Sequence, residues 1–392
     1  MQCRRDQERG VDETQRERKE KRFARSDDGN GEGRKPVSAQ RNGEDTPPGP
    51  PFGGVAAGDR KFSRGQAIRL LGGGFAGAAL LSAGLARTAA ASTSSLSDPG
   101  AYQASVQRAF SGQTDLIEDR EHCSAHPERL KTIGRAVGQQ VRIGRSSSQY
   151  ALYTVSETRQ ESPDNVVRAG AAGRQRLGTS AEFAARLNSQ VPHPSFTDPQ
   201  AKANSEFVER LTDDGRHQGL IATAPHGGDI EPYTDEQAER VARQLASKRV
   251  SAWRCKGWKA GGGTHERWHI TSTDIHAASF PQLEKVIGRQ FKHAVAFHGF
   301  SREGVLVGGA APGSLKREIA GAIDEALAGS GIPVQIADRD DDLGGNSPRN
   351  VVNRLTAGQA GGIQIEQSFA ARERHWDAIS DAVAAVYRRK LG

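Results

Sequence analysis

Four side chains of this sequence could hold a metal ion and use it to activate water: His226, Glu231, His298 and Glu366. Two imidazoles and one carboxylate bind zinc and leave a coordination position open for water. The residual positive charge of such a site lowers the pKa of the water and polarises a carbonyl group, while a free carboxylate can take the proton. We therefore predict a hydrolytic zinc centre with His226, Glu231 and His298 as ligands and Glu366 as the catalytic base.

Each of these side chains follows a short apolar run that is typical of a buried strand. The runs are 219–223, 294–297 and 362–365. Open α/β sheets place their sites at the carboxyl ends of the strands. Helical patterns lie between and after the runs, over 234–245, 281–287, 314–328 and 370–389. This alternation predicts one α/β domain with a mixed, largely parallel central sheet.

The remaining patterns predict further elements on either side of these runs. Residues 141–143 and 150–155 are typical of strands, and 180–187 and 206–211 of short helices. Residues 268–271 predict one more short strand.

Each candidate ligand also has an ordinary structural interpretation. A histidine at a strand end is more often a hydrogen-bonded residue than a ligand. Glu231 alone would be a carboxylate near a helix N-terminus, where it is stabilised without any metal. The combination favours a metal centre, because three strand ends would otherwise have to bring these groups together by chance.

The first quarter of the chain has a different character from the rest. Residues 1–60 are polar and charged and predict a disordered leader. One explanation for this leader is that translation truly starts near Val55. Residues 61–92 predict an export signal, twin-arginine-like except for Gly65, with cleavage near Ala91. The alternative is a short membrane anchor. We expect a secreted, extracellular protein without stable membrane association after cleavage.

These patterns divide the rest of the chain into a polar N-terminal segment, 93–130, and a zinc hydrolase domain, 131–392.

Residues 1–90 hold 17 of the 54 basic and 12 of the 47 acidic residues, which leaves +2 of the net charge of +7 for the remainder. The basic balance therefore belongs mostly to the leader, and the mature protein is not predicted to bind nucleic acid.

Two cysteines, Cys123 and Cys255, follow the predicted cleavage site. In an exported protein such a pair forms a disulfide or stays free and buried, and the sequence leaves both alternatives open. The chain has no Cys-x-x-Cys, which argues against a zinc site built from cysteines.

Six sequence blocks occur in the order found in a known family. They are Ala224-Pro225-His226-Gly227-Gly228-Asp229-Ile230-Glu231, Trp268-His269-Ile270-Thr271-Ser272-Thr273-Asp274, Ala296-Phe297-His298-Gly299-Phe300, Val307-Gly308-Gly309, Asn350-Val351-Val352-Asn353-Arg354 and Gly362-Ile363-Gln364-Ile365-Glu366. In these blocks the chain resembles the poly-γ-glutamate hydrolases, metallopeptidases of phage and bacterial origin, over about residues 130–388. The chain departs from the family's pattern in Gln367, which follows Glu366, and in a longer polar insert around 256–266.

The resemblance implies a three-layer αβα fold of the carboxypeptidase type around the mixed sheet. It implies the same metal ligands, with zinc as the cofactor and Glu366 as general base. It also suggests that the block beginning at His269, with Thr271 and Ser272, lines the substrate site together with Asn353 and Arg354.

His269 has three interpretations in the sequence. It could be a fourth metal ligand, a structural histidine bonded to the backbone, or a substrate contact beside the donors Thr271 and Ser272. We favour the substrate contact. Because a γ-glutamyl polymer carries one carboxylate per residue, we also expect cations there, and we select Arg267 and Arg354 since each adjoins a block of the resemblance.

The sequence thus predicts an exported zinc hydrolase that cleaves γ-glutamyl amide bonds of poly-γ-glutamate, a polyanionic substrate. The first alternative is a zinc amidohydrolase acting on the γ-glutamyl links of peptidoglycan stem peptides. The second is a catalytically inactive wall-binding protein, which the four intact candidate residues argue against. No oligomeric state is predicted.

Overall fold

The structure is a computed structural model that describes residues 101–392. The predicted leader, 1–60, and the predicted export signal, 61–92, lie outside the described residues. Within the described part, none of the helices has both the length and the apolar character needed to cross a membrane.

A closed six-stranded barrel forms the first part of the described chain. Its strands are β1 (Tyr102–Arg108), β2 (His122–Ala125), β3 (Gln140–Gly144), β4 (Tyr150–Thr158), β5 (Val166–Ala169) and β6 (Phe183–Asn188), in the order β1-β5-β2-β4-β3-β6. Three short helices connect them: α1 (Thr114–Glu118), α2 (Pro127–Thr132) and α3 (Ala171–Gln175). Closure removes the exposed strand edges, and the interior is filled by apolar side chains such as Val141, Ile143 and Val155. The segment 93–130 contributes β1 and β2 to this barrel.

A seven-stranded mixed sheet follows. Its strands are β7 (Phe207–Thr212), β8 (Leu220–Gly228), β9 (Ser251–Gly257), β10 (His293–Gly299), β11 (Val305–Gly308), β12 (Val334–Ile336) and β13 (Gly362–Gln367), in the order β12-β11-β13-β10-β8-β9-β7. The central strands β13, β10, β8 and β9 run parallel to one another, and antiparallel pairs join β11 and β7 to them.

Helices and turns separate these strands. They are α4 (Asp198–Ala203), α5 (Thr234–Gln244), α6 (Thr264–Trp268), α7 (Pro281–Glu284), α8 (Gly313–Ala326), α9 (Val351–Arg354) and α10 (Phe369–Leu391), with single 3-10 turns at 246–248, 277–279 and 357–359. One core cluster joins α5, α8 and α10 to alternate strand residues such as Val295 and Phe297. The residues that alternate with them, Ala294 and Ala296, belong to a second cluster. Since strand side chains alternate between faces, His298 lies on the face of Ala294 and Ala296.

The predicted three-layer αβα, carboxypeptidase-like fold is wrong for this chain. Residues 102–188 close into a barrel, and only the later strands form the mixed sheet. The sequence pattern could identify β3 and β4 as strands, but it could not show that they pair with β6 and β2, because barrel closure depends on contacts between distant residues.

Three local predictions are also wrong. The short helices expected at 180–187 and 206–211 are strands β6 and β7, whose ladders with β1, β3 and β9 outweigh the local helical pattern. The strand expected at 268–271 is the end of α6 and the extended segment after it.

Cys123 and Cys255 are both free and buried. Cys123 lies in the barrel core and Cys255 in a core cluster of the sheet. Of the two alternatives left open by the sequence, the structure therefore has the pair of free thiols.

Candidate metal centre

The candidate residues meet because their strands are neighbours in the sheet. Strand β10 lies between β8 and β13 and is parallel to both, so their carboxyl ends lie at the same edge. His298 and Glu366 are paired in the β10–β13 register and therefore share one face. The prediction that strand ends would bring these groups together is correct.

A tight turn after β8 brings Glu231 back towards His226. The amide of Glu231 donates to the carbonyl of His226 at 2.8 Å. Gly228 has φ +67°, and a Cβ at Gly227 would lie 2.5 Å from the side chain of Asp235. Both positions therefore need glycine, which explains the His-Gly-Gly sequence at the turn.

The three predicted ligands face one another at distances that suit a metal ion. The Nδ1 atoms of His226 and His298 are 3.2 Å apart. The carboxylate oxygens of Glu231 lie 3.1 Å from Nδ1 of His226 and 3.4 Å from Nδ1 of His298. Ligand atoms about 2.0–2.1 Å from a tetrahedral zinc ion are about 3.3–3.4 Å apart. The donor set and its spacing therefore fit zinc.

The tautomer of His226 is fixed by its surroundings. Its Nε2 lies 2.9 Å from the carbonyl oxygen of Ile270, which can only accept a hydrogen bond. His226 therefore carries its proton on Nε2, and in the neutral ring the lone pair of Nδ1 points towards Glu231 and His298. A hydrogen bond from the outer ring nitrogen to a backbone carbonyl is the usual way in which a protein orients a histidine ligand.

Burial and mutual attraction set the charges of the cluster. Burial alone would raise the pKa of Glu231, but His226 and His298 hold it well below its usual value. Burial likewise opposes protonation of His226, yet Glu231 raises the pKa of that imidazole. The cluster therefore attracts positive charge into a buried place, as a metal site must.

Glu366 lies in the same cavity as the three ligands but is not bonded to them. Its Oε1 accepts a hydrogen bond of 2.9 Å from Nε2 of Gln364. Burial raises the pKa of Glu366 to about 7, against the opposing effect of His298. A carboxyl group that titrates near neutral pH is suited to both accepting and returning a proton.

An open cavity of about 750 Å³ joins these groups to solvent. The predicted ligands line it: His226, Glu231 and His298. So do Glu366 and the predicted substrate contacts His269, Thr271 and Ser272. The acidic loop at Asp340, Asp341 and Asp342 also lines it. The structure thus brings together seven of the ten residues predicted for the site.

The other three predicted residues lie elsewhere. Asn353 is fully buried. Its Oδ1 accepts a hydrogen bond from the amide of Ala310, and its Nδ2 donates to the carbonyls of Gly345 and Ser347. Asn353 therefore supports the cavity wall from behind. Arg354 donates to the carbonyl of Ile275. Arg267 lines a separate cavity of about 700 Å³ and donates to backbone carbonyls there.

His269 lies between two acidic groups. Its Nδ1 is 2.6 Å from Oε1 of Glu121, a barrel residue, and its Nε2 is 4.0 Å from Oε1 of Glu231. Together with His226 and Glu231, His269 offers ligand atoms that lie within 4.8 Å of one another. Burial lowers the pKa of His269, so its Nε2 is available to face either a metal ion or a substrate.

One cation of this cavity was missed in the sequence. Arg372, near the start of α10, is 6% exposed and donates to the backbone carbonyls of Gln367 and Pro232. A Cβ at Gly299 would lie 2.3 Å from its guanidinium carbon, so glycine makes the room for this side chain. Arg372 lies outside the six blocks, and only its position next to the β13 strand end could have suggested it.

A second group of possible ligands lies at the contact between barrel and sheet: Asp119, His122 and Asp274. Nε2 of His122 is 2.7 Å from Asp274, and Arg349 donates to the other oxygen of Asp274 at 3.1 Å. Because an arginine already neutralises this carboxylate, the group is better described as an ion-pair network than as a metal site.

Comparison with known proteins finds a family match over the residues that form the sheet and its cavity. A model of the family described as poly-gamma-glutamate hydrolase matches residues 195–385. Over these residues the chain matches the poly-gamma-glutamate hydrolase family. The resemblance found in the sequence blocks is confirmed. It was expected over about 130–388, and the match leaves the barrel strands outside.

Individual relatives each match a little less than half of the chain. The SPβ prophage-derived UPF0714 protein YoqZ of Bacillus subtilis strain 168 is 32% identical over 174 residues, 43% of this chain and 56% of that protein. This chain therefore spans little more than half of that relative. A bacteriophage poly-gamma-glutamate hydrolase structure is 22% identical with a TM-score of 0.37, covering 47% of this chain and 89% of the other. The zinc-free apo form of YNDL is 22% identical with a TM-score of 0.38, covering 49% and 96%.

The poly-gamma-glutamate hydrolase match contains all the residues of the candidate centre described above except one. His226, Glu231, His298, Glu366 and Arg372 lie within residues 195–385. Glu121, which contacts His269, lies in the barrel and outside the matched part.

Proposed function

We propose that this chain is a zinc-dependent hydrolase that cleaves the γ-glutamyl amide bonds of poly-γ-glutamate. The observation that carries the proposal is the convergence of two Nδ1 atoms and one carboxylate at 3.1–3.4 Å beside a second buried carboxylate, Glu366. The family match supports the reaction class and the polymer.

His226, Glu231 and His298 would hold the zinc ion. Two nitrogens and one carboxylate favour zinc over magnesium or calcium, which prefer oxygen ligands. When bound, zinc would lower the pKa of a water molecule and polarise the amide carbonyl. His226 and Glu231 are buried, and the carbonyl of Ile270 orients the ring of His226 towards Glu231 and His298.

We assign the proton transfer to Glu366. Gln364 occupies its Oε1, which leaves Oε2 to accept a proton from the attacking water and to pass it to the leaving amine. Burial raises the pKa of Glu366, so the carboxyl can hold that proton between the two transfers. The amide C–N bond breaks as the amine is protonated, and the new acid and the amine are the two products.

We assign the recognition of a substrate carboxylate, or of the developing oxyanion, to Arg372. The described structure shows hydrogen bonds of its Nε and Nη1 to backbone carbonyls, and no hydrogen bond of Nη2. None of these hydrogen bonds is to a carboxylate. Burial lowers the pKa of Arg372, while the nearby charges of Glu231 and Glu366 oppose that shift. This cation takes the role that we expected of Arg267 and Arg354.

One observation favours the alternative substrate, the γ-glutamyl links of peptidoglycan stem peptides. Asp340, Asp341 and Asp342 line the cavity beside Arg339, and of these Asp341 is paired with Arg302. These three carboxylates outnumber the two arginines beside them, and the excess negative charge repels a long polyanion more than a short peptide with fewer carboxylates. Digestion of both polymers side by side separates the two.

The proposal is tested with Glu366→Gln, with Glu373→Gln as the matched control. Glu373 is a partly exposed carboxylate on α10 outside the cavity. Metal analysis should find about one zinc per chain in all three proteins. Size analysis of poly-γ-glutamate should show shortening by wild type and Glu373→Gln and a loss of rate of about 100- to 10,000-fold in Glu366→Gln. Absence of zinc from supplemented wild type, or full activity of Glu366→Gln, would contradict it.

We also propose that the protein acts outside the cell, on the strength of the export signal predicted at 61–92. N-terminal sequencing of the protein from culture medium should find a start near Ala91. A product that keeps residues before position 60 would contradict this.

A further inference from the structure

Glu121 links the barrel to the candidate centre. The residue directly precedes β2, and its side chain is nearly fully buried. Its own backbone is held within the barrel: the amide donates to Asp119 at 2.7 Å, and the carbonyl accepts from the amide of Thr154 at 2.8 Å. The carboxylate therefore projects from a fixed position.

Both oxygens of Glu121 bond to the segment that follows α6. Oε1 is 2.6 Å from Nδ1 of His269, and Oε2 accepts from the amide of Thr271 at 2.8 Å and from its hydroxyl at 3.3 Å. Arg176, another barrel residue, donates to the carbonyl of His269 at 3.3 Å. Two barrel side chains thus hold this segment on both sides of Ile270.

The position of Ile270 matters for the metal ligands. Its carbonyl oxygen receives the Nε2 proton of His226 and so directs Nδ1 of that ring towards Glu231 and His298. The bond from His269 to Glu121 has a similar effect, because it places the proton of His269 on Nδ1 and turns Nε2 towards Glu231. One barrel carboxylate therefore orients two imidazoles of the cavity.

We propose that the barrel is part of the catalytic unit and that Glu121 is a positioning residue for His269 and, through the segment 269–271, for the ligand His226. This inference rests on the proposed zinc centre but not on the identity of the substrate. Outer-shell partners of metal ligands usually change metal affinity or activity by about 10- to 100-fold when they are lost.

The test compares Glu121→Gln in the full chain with two controls. Glu157→Gln makes the same chemical change in the barrel, where the described contacts of Glu157 are to Gln113 and Arg159. His122→Ala removes a different barrel–sheet contact, the one to Asp274 at 2.7 Å. The measurements are zinc affinity by competition with a chelator, kcat and KM, thermal unfolding, and hydrogen exchange of the Thr271 amide in metal-free protein.

We expect Glu121→Gln to bind zinc about 10- to 100-fold more weakly, to lose kcat more than KM, and to exchange the Thr271 amide about tenfold faster or more. Both controls should keep zinc affinity and amide exchange within about threefold of wild type, even where unfolding temperature falls. Wild-type zinc affinity and amide exchange in a folded Glu121→Gln would overturn the proposal. An equal loss in His122→Ala would also overturn it, since any weakening of the barrel–sheet contact would then suffice.

The exchange measurement separates this proposal from the proposed function. If wild type leaves poly-γ-glutamate intact while Glu121→Gln alone changes zinc affinity and Thr271 exchange, the positioning role holds and the substrate is wrong. If Glu121→Gln does not fold, Glu121→Asp replaces it, because a side chain shorter by one methylene cannot reach both partners. Unchanged exchange and zinc affinity in that variant would overturn the positioning role in the same way.

Discussion

The seven-stranded sheet and the six-stranded barrel contribute to the cavity in different ways. The sheet supplies the predicted ligands and base directly, because β8, β10 and β13 are parallel neighbours whose ends meet at one edge. The barrel has no such edge and reaches the centre through Glu121 and Arg176. Parallel strands thus concentrate reactive groups, while a closed barrel acts here as a rigid support for a few oriented side chains.

The strongest test of this difference removes a sheet ligand. His298→Ala or Glu231→Gln should weaken zinc binding by more than the about 100-fold that an outer-shell change can cause, because one of three direct ligands is lost. Equilibrium dialysis with zinc measures it. His269→Ala serves as the comparison: a loss within about tenfold fits a substrate contact, while a loss as large as that of His298→Ala would make His269 a fourth ligand.

A core substitution in each part tests whether barrel and sheet unfold together. Ile143 in the barrel and Ile323 on α8 are both fully buried. Each change to alanine should lower the free energy of unfolding by about 2–5 kcal/mol, because it leaves a cavity in a packed core. Both parts belong to one compact unit, so we expect a single thermal transition.

The barrel of Ile143→Ala could instead unfold in a separate transition, with the sheet still binding zinc at temperatures above that transition. This result would contradict the view that the barrel supports the centre. Calorimetry on the zinc-loaded and metal-free proteins would detect such a transition.

Arg372, the buried cation of the cavity, gives a smaller expected effect. Arg372→Met should lower kcat/KM for poly-γ-glutamate by about 10- to 100-fold, since hydrogen bonds to charged groups contribute about 1.5–3 kcal/mol. Arg372→Lys should recover only part of this because a single ammonium cannot form the same paired contact. Arg374→Met, on the same helix and largely exposed, is the control. Equal losses in Arg372→Met and Arg374→Met would remove Arg372 from substrate binding.

The smallest expected effect concerns ion pairs and pH. Hydrogen bonds from Arg289 lower the pKa of Asp213 to about 2. Because the usual pKa of an unfolded aspartate is about 3.9, the pair contributes its full stability above that pH and loses it as the pH falls towards 2. Arg289→Met should therefore flatten the decline of stability between about pH 4 and 2 in acid-unfolding measurements.

Arg129→Met in the barrel is the contrast for this prediction. Its partner Asp164 is 62% exposed, so the pair is expected to contribute little. An equal change in the two acid-unfolding curves would show that burial does not distinguish the ion pairs of barrel and sheet.

Much of the sheet and its centre could be predicted because the signals are local. Strand β8, the His-Gly-Gly turn and the position of Glu231 follow within twelve residues of sequence, 220–231. The strands that carry His298 and Glu366 were also found from short apolar runs. The structure shows why glycine is needed at this turn, because a Cβ at Gly227 or Gly228 would meet neighbouring atoms.

The substrate side of the centre was less predictable. Arg267 adjoins a sequence block, yet the end of α6 directs it to a different cavity. Arg372 adjoins none, yet Gly299 leaves room for it beside the ligands. Proximity along the chain is a poor guide to which cavity a long cationic side chain enters, because this depends on how helices pack against the sheet.

The sequence by itself determined the donor types of the centre, the strands that carry them and the family matched over residues 195–385. Only the tertiary structure decided that residues 102–188 close into a barrel and that Glu121 of this barrel contacts His269, 148 positions later in the chain. The physical reason is the range of the signals. Turn geometry and strand periodicity act within a few residues, whereas barrel closure and a contact between distant carboxylate and imidazole groups exist only once the whole chain has packed.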